Sequence, residues 1–229
     1  MGMEVLINMN IFDVIGPIMI GPSSSHTAGA ARLGKMARII LGESPTDVKI
    51  ILYGSFAETG KGHGTDLAII AGLLGLDPWD ERLKLSFEIA KKEGLNFSFS
   101  REKLKKGMHP NSVRFILQGR KGNKEIEGAS IGGGKIKITN IDGFPVSFTG
   151  EYPTIVNIYK DRIGVISKVT EILAQKNINI ARMRVSRDRK MGTALMIIEA
   201  DQVPPQTIKK EIEALPYITS SIYISGLNL

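Results

Sequence analysis

Beyond residue 153 the chain alternates two periodicities in an order that few folds accept. An apolar run over 154–159, TIVNIY, leads into a stretch of helical spacing from Ile163 to Lys176. Two strand-like runs follow, INIARMRVS and ALMIIEA, then a short helix after Pro204-Pro205 and a last strand-like run, YITSSIYIS. Period two sends side chains to alternate faces of a sheet, whereas period 3.6 gathers them on one face of a helix. The resulting order, βαββαβ, is the split-βαβ plan of the ferredoxin-like fold. Asp161-Arg162-Ile163-Gly164 falls at the first strand-to-helix turn, where a glycine permits close backbone approach and a helix N-terminus offers unpaired N–H groups to an anion. A tight turn with a helix cap accounts for the same residues equally well.

This unit is too small for the whole chain, whose 229 residues fit two domains. The change of pattern lies between Gly143 and Pro153, so the expected units are residues 1–148 and 153–229. The first reads as mixed α/β, making the whole chain α+β. Helical spacing runs from about Ser25 to Leu41, from Thr65 to Leu74, and through ERLKLSFEIAKKEG to a glycine stop at Gly94. VKIILYG, VRFILQG, KEIEGASI and KIKITNI read as strands. Gly132-Gly133-Gly134 lies between two of them with no helix to follow, so a phosphate-binding loop is not supported.

The net charge of +7 does not mark a nucleic-acid surface: basic residues outnumber acidic ones by 19 to 15 up to Gly150 and by 11 to 8 after it. The one dense cluster, Arg101 to Lys106, suits a solvated face, and an aromatic content of 6% leaves few stacking platforms. No run reaches the ~18 apolar residues of a membrane span. The opening MGMEVLINMNIFDVIG lacks the pattern of a signal peptide, so a cytoplasmic protein is expected. The sequence contains no cysteine. Disulfides, thiolate-ligated metals and cysteine nucleophiles are thereby excluded within this chain.

The three histidines all stand among turn-forming residues. His26 belongs to GPSSSHTAGAARLGKMAR, where Ser23, Ser24, Ser25 and Thr27 open a helix with hydroxyls beside backbone N–H groups, a setting suited to a carboxylate. One hydroxyl suffices for an N-cap, so four within five positions exceed that need. His63 is flanked by Gly62 and Gly64 in TGKGHGTDLAII, open to close approach, and a neutral imidazole is a capable base near pH 7. His109 precedes Pro110 and is pushed toward extended geometry. Taken singly, each histidine suits a loop or packing role. No Ser stands on a G-x-S-x-G elbow, and no two histidines have the spacing that puts metal ligands on one helix face, so no metal site is assigned.

Two resemblances rest on these strings. DRIG followed by a helix ending in KNINIARM resembles the ACT domain, a regulatory module that binds amino acids at paired interfaces. It implies ligand positions at Tyr159, Asp161, Gly164, Val165, Asn179 and Ile180, and a homotypic contact between ACT units. Asp161 stands where serine-binding versions usually carry Asn. An Asp there repels a ligand carboxylate unless it faces the ammonium.

GPSSSHTAGAARLGKMA, TGKGHGTDLAIIAGLLG, HPN and SIGGGKI, in this order, resemble the β chain of bacterial iron–sulfur-dependent L-serine dehydratases. That resemblance implies deamination of L-serine to pyruvate and ammonia, with a [4Fe–4S] cluster acting as Lewis acid and ligated by cysteines of a partner α chain. It implies His63 as the proton acceptor, with His26 beside it in the catalytic set, and Ser23, Ser24, Ser25 and Thr27 as substrate-carboxylate donors. It also implies that the first unit is similar to the allosteric-substrate-binding domain of some phosphoglycerate dehydrogenases; His109, Asn111 and Ser130 to Gly134 match without an assigned role. A second expectation is a non-catalytic amino-acid-sensing subunit. A third, a regulatory fragment of a phosphoglycerate dehydrogenase, is disfavoured by GHGTD and the lack of a nucleotide motif.

Overall fold

A computed structural model describes residues 18–227. Its first unit is a six-stranded sheet built from β1 (Asp47–Tyr53), β2 (Asn96–Glu102), β3 (Ser112–Gln118), β4 (Asn123–Gly132), β5 (Lys135–Ile141) and β6 (Phe144–Phe148), in the order β2-β1-β3-β4-β5-β6. Only β1 and β2 pair in parallel. A parallel pair needs a long crossover, and here α2 (Gly54–Glu58), α3 (Thr65–Leu73) and α4 (Ser86–Glu93) provide it. The preceding helix, α1 (Gly29–Leu41), packs with α3 over a core that includes Leu33, Met36, Ile40, Ile50, Phe115 and Ile138.

Two strands depart from the expectation. NFSFSRE forms β2 at a sheet edge, and FPVSF, read as part of the linker, forms β6 at the other edge. The turn between the two units is therefore shorter than expected, running only from residue 149 to 153.

The second unit has the expected βαββαβ order: β7 (Thr154–Lys160), α5 (Val165–Gln175), β8 (Ile180–Arg187), β9 (Thr193–Ala200), α6 (Thr207–Glu213) and β10 (Ile218–Ile224). Its sheet order is β10-β7-β9-β8, with every neighbouring pair antiparallel. Val165, Val169, Leu173, Ile208 and Ile212 from the helices bury one face against Ile155, Met196 and Ile198. The other face carries Val156, Leu195, Ile197, Ile222 and Ile224 into the core of the first unit. Burying both faces favours apolar residues throughout, which explains the unbroken run ALMII over 194–198; Glu199 is the exception.

Helices α1 and α3 cross through glycines rather than side chains. A Cβ on Gly34 would strike the Ile69 carbonyl, and one on Gly72 would strike the Ala31 carbonyl. Backbone thus lies against backbone, which fixes how the starts of the two helices meet. Gly72→Ala is expected to cost about 1–3 kcal/mol by overpacking. In thermal unfolding, a melting temperature lower by several degrees would register it, and an unchanged one would contradict the close crossing.

Candidate active site

The entry to α1 is shaped by its hydroxyls. Ser23 has extended backbone, and its Oγ accepts the N–H of His26 at 3.1 Å. The next five residues, Ser24–Ala28, form one π-helical turn rather than the α-helical start expected from Ser25. Such wide turns occur often at functional sites. This one sets Ser25 Oγ 3.2 Å from His26 Nδ1 and turns Thr27 inward, where its hydroxyl donates to the His63 carbonyl at 3.1 Å. Thr27, expected to bind substrate, is 1% exposed and ties the two motifs together. Ser24 alone among these residues forms no side-chain hydrogen bond within the described protein.

The His26 and His63 rings lie 4.9 Å apart, between centroids. His26 also sits edge-on to Phe56, at 5.3 Å. Its Nε2 lies 3.0 Å from Ser55 Oγ and 3.2 Å from Thr59 Oγ1. Neither hydroxyl was singled out in the sequence; the four-residue spacing that puts both on one face of a helix was the available signal. Thr59 Oγ1 donates to the Ser55 carbonyl at 2.9 Å, whereas the Ser55 hydroxyl can serve His26 Nε2 as donor or as acceptor. For neutral His63 a single contact sets the tautomer: Nδ1 lies 3.0 Å from the Thr59 carbonyl, an acceptor only, so Nδ1 carries the proton and Nε2 keeps a lone pair.

The two remaining motifs close around this pair. Gly54, with φ of +50°, leaves no room for a Cβ against Pro110, whose carbonyl accepts the Ser55 N–H at 2.9 Å. The HPN turn is self-bonded: His109 Nδ1 accepts the Asn111 N–H and Ser112 Oγ donates to the His109 carbonyl. His109 stays exposed. Ser130 packs against Gly29, and Arg32 donates to the Gly134 carbonyl at 2.8 Å, fixing the glycine turn to α1.

Burial holds His26 below the usual histidine value; the nearby His63 adds to the depression, and the Ser55 backbone carbonyl partly offsets it. Between the folded value and the unfolded one near 6.5, the unfolded chain binds more protons. This contribution to stability is therefore complete above about pH 6.5 and is lost as the pH falls through the interval below it. Urea midpoints at pH 7.5 and 5.5 are expected to converge in His26→Gln relative to the parent protein. An unchanged difference would contradict the depressed value.

In the second unit, Asp161, Arg162, Ile163, Gly164, Arg187 and Met191 line a cavity of about 610 Å³. Gly164, with φ of +88°, caps the start of α5, and Val165, the first helical residue, is buried. The Asp161 carboxylate accepts from Arg187 and from the Met191 N–H, each at 3.3 Å. Arg187, not foreseen, sets a cation beside the carboxylate that was expected to repel an anionic ligand. Tyr159 is 1% exposed, with its hydroxyl unpartnered. Asn179 bonds Asp201 at 2.6 Å, next to Ile180. Ile180 pairs with Ala200 at one end of β8 and Arg187 with Ala194 at the other, so Asn179 and Asp161 lie at opposite ends of the sheet. One chain does not bring the expected ligand residues together.

Among the described residues no cluster of three His, Cys, Asp or Glu side chains could hold a metal ion. With no cysteine in the sequence either, the donor set does not fit an iron–sulfur cluster. No described helix is long and apolar enough to cross a membrane.

A paired-histidine site on a mixed sheet, joined to a βαββαβ unit, defines a two-part α+β protein. Residues 10–140 match the family described as serine dehydratase beta chain, and residues 154–217 match the ACT domain. The chain is 46% identical to the probable L-serine dehydratase beta chain of Bacillus subtilis, covering 91% of this chain and 94% of the relative. It is 41% identical to the L-serine dehydratase beta chain of Peptoniphilus asaccharolyticus, covering 93% and 96%. D-3-phosphoglycerate dehydrogenase of Synechocystis is 26% identical over 80% of this chain but only 33% of that protein. The chain belongs to the serine dehydratase beta chain family and ends in an ACT domain.

Proposed function

We propose that this chain is the β subunit of a cytoplasmic two-chain L-serine dehydratase, which converts L-serine to pyruvate and ammonia. The observation that carries the reading is the pair of opposed imidazoles. His63 presents a free Nε2 lone pair, while His26 is held neutral among hydroxyls beside it. Removal of the serine Cα proton needs such a base, and His63 Nε2 is the atom that would accept it. Ser24, with its uncommitted hydroxyl, and the first backbone N–H groups of the Ser24–Ala28 turn would bind the substrate carboxylate. Ser23 and Ser25 shape that end of the site through His26, and Thr27 through His63.

The [4Fe–4S] cluster would belong to an α chain docked over the histidine pair, because this sequence contains no cysteine. No step of the proton chemistry assigned to His63 depends on this chain touching the cluster. The ACT domain would take a regulatory amino acid at the Asp161–Gly164 turn. A homotypic contact is the arrangement that could bring Asn179 and Ile180 of a second copy to that turn.

Ser24→Ala in the assembled enzyme is expected to raise KM for L-serine by about tenfold with kcat little changed, as for a group that binds ground and transition states alike. An unaltered KM would remove Ser24 from the site. The alternative is a sensing subunit in which all chemistry resides in the α chain; it gains support if His63 substitution alters cooperativity but spares kcat.

A further inference from the structure

The two sheets meet edge to edge where β6 faces β8, and Ser186 Oγ donates to the Pro145 carbonyl across the seam at 2.9 Å. Beside the seam is a cavity of about 440 Å³ lined by Ser147, Arg182, Met183, Arg184, Ile197 and Glu199. It lies on the face of the β8–β9 pair that carries Ile197 into the shared core, away from α5 and from the Asp161 turn.

Glu199 is 4% exposed, yet its Oε1 has no hydrogen-bond partner. Its other oxygen lies 4.0 Å from Nη1 of Arg182, a side chain left mostly in solvent and also drawn toward the Tyr152 ring. A buried carboxylate oxygen without a donor is costly, and the cost is recovered only when a donor arrives. Burial also pushes the Glu199 carboxyl up, with Arg182 opposing the shift. In the antiparallel register Arg182 stands opposite Glu199 and Arg184 opposite Ile197, so two guanidinium groups flank one buried acid on a single face.

We propose that this seam cavity binds a free α-amino acid, its ammonium donating to Glu199 Oε1 and its carboxylate lying against Arg184 and Arg182. The buried orphan is an acceptor, so the group that enters must be a donor, and an ammonium offers three N–H bonds. The flanking arginines favour an anion one carbon away, and guanidinium suits carboxylate in charge and geometry. The volume admits a small ligand, with Ile197 as an apolar floor and Ser147 on the opposing strand. An amino acid held there would bridge the edges of both sheets, and so would couple the ACT unit to the unit bearing the histidines.

Calorimetry on the full chain alone, without an α chain, tests this independently of turnover. The ligands are L-serine, glycine and L-alanine, compared with ethanolamine, L-lactate and potassium chloride. Saturable binding is expected for the amino acids, with ethanolamine and lactate at least about tenfold weaker, since each lacks one charge-assisted contact. Glu199→Gln and the exposed Arg184→Ala should each weaken the amino acids by about tenfold or more, whereas Arg120→Ala, an exposed change in the turn between β3 and β4, should leave this binding intact. The proposal is overturned if no amino acid binds, if ethanolamine or potassium chloride matches them, or if Arg184→Ala and Glu199→Gln both bind as the parent does. Should Glu199→Gln fail to fold, Arg184→Ala decides alone.

Discussion

His63→Asn in the assembled enzyme is expected to lower kcat for L-serine by about 10²–10⁴, the usual worth of a positioned general base, with KM changed little. Asparagine keeps a side-chain N–H that can donate to the Thr59 carbonyl, as His63 Nδ1 does, so the glycine-flanked turn and the Thr27 tie should survive. What it removes is the Nε2 lone pair. A residue that only braced the turn would be rescued by the donor and lose little; a base would not be. Iron content equal to that of the parent complex would establish that assembly is intact. Near-normal kcat under those conditions would assign the chemistry to the α chain and leave this chain a sensing role.

The second unit was legible from periodicity because each of its strands is interior or long enough to alternate cleanly, and ALMII, buried on both faces, reads as one unbroken run. The two edge strands of the first sheet carried weaker signals: β2 interleaves Phe97 and Phe99 with serines, and Pro145 interrupts β6. An edge strand tolerates proline because one row of its hydrogen bonds is unpaired, and that tolerance is what made FPVSF look like a linker. At the candidate site the histidines and the serine run were visible as motifs. Ser55 and Thr59 were not, because a hydroxyl gains its meaning only when a fold of distant segments brings His26 to it. Arg187 and Glu199 escaped for the same reason, since each acquires its setting from pairing across β8 and β9. The separation of Asn179 from Asp161 depends on strand direction, which residue spacing alone does not encode.

Alone, this chain is expected to deaminate no L-serine and to retain no iron after anaerobic reconstitution. The proposed base and carboxylate donors stand on one polypeptide, but nothing in its cysteine-free sequence supplies the thiolates an iron–sulfur centre requires. In the proposed division of labour, half a site would bind and position L-serine without accelerating the loss of the 3-hydroxyl. The central claim, that the active site is completed between two chains, is tested most directly by titrating a fixed amount of cluster-loaded α chain with this chain and measuring pyruvate formation. Activity should rise from a negligible intercept and saturate near equimolar addition, while His63→Asn should saturate at the same ratio but on a plateau lower by about 10²–10⁴. Full activity from the α chain before any of this chain is added, or turnover by this chain alone, would contradict the account.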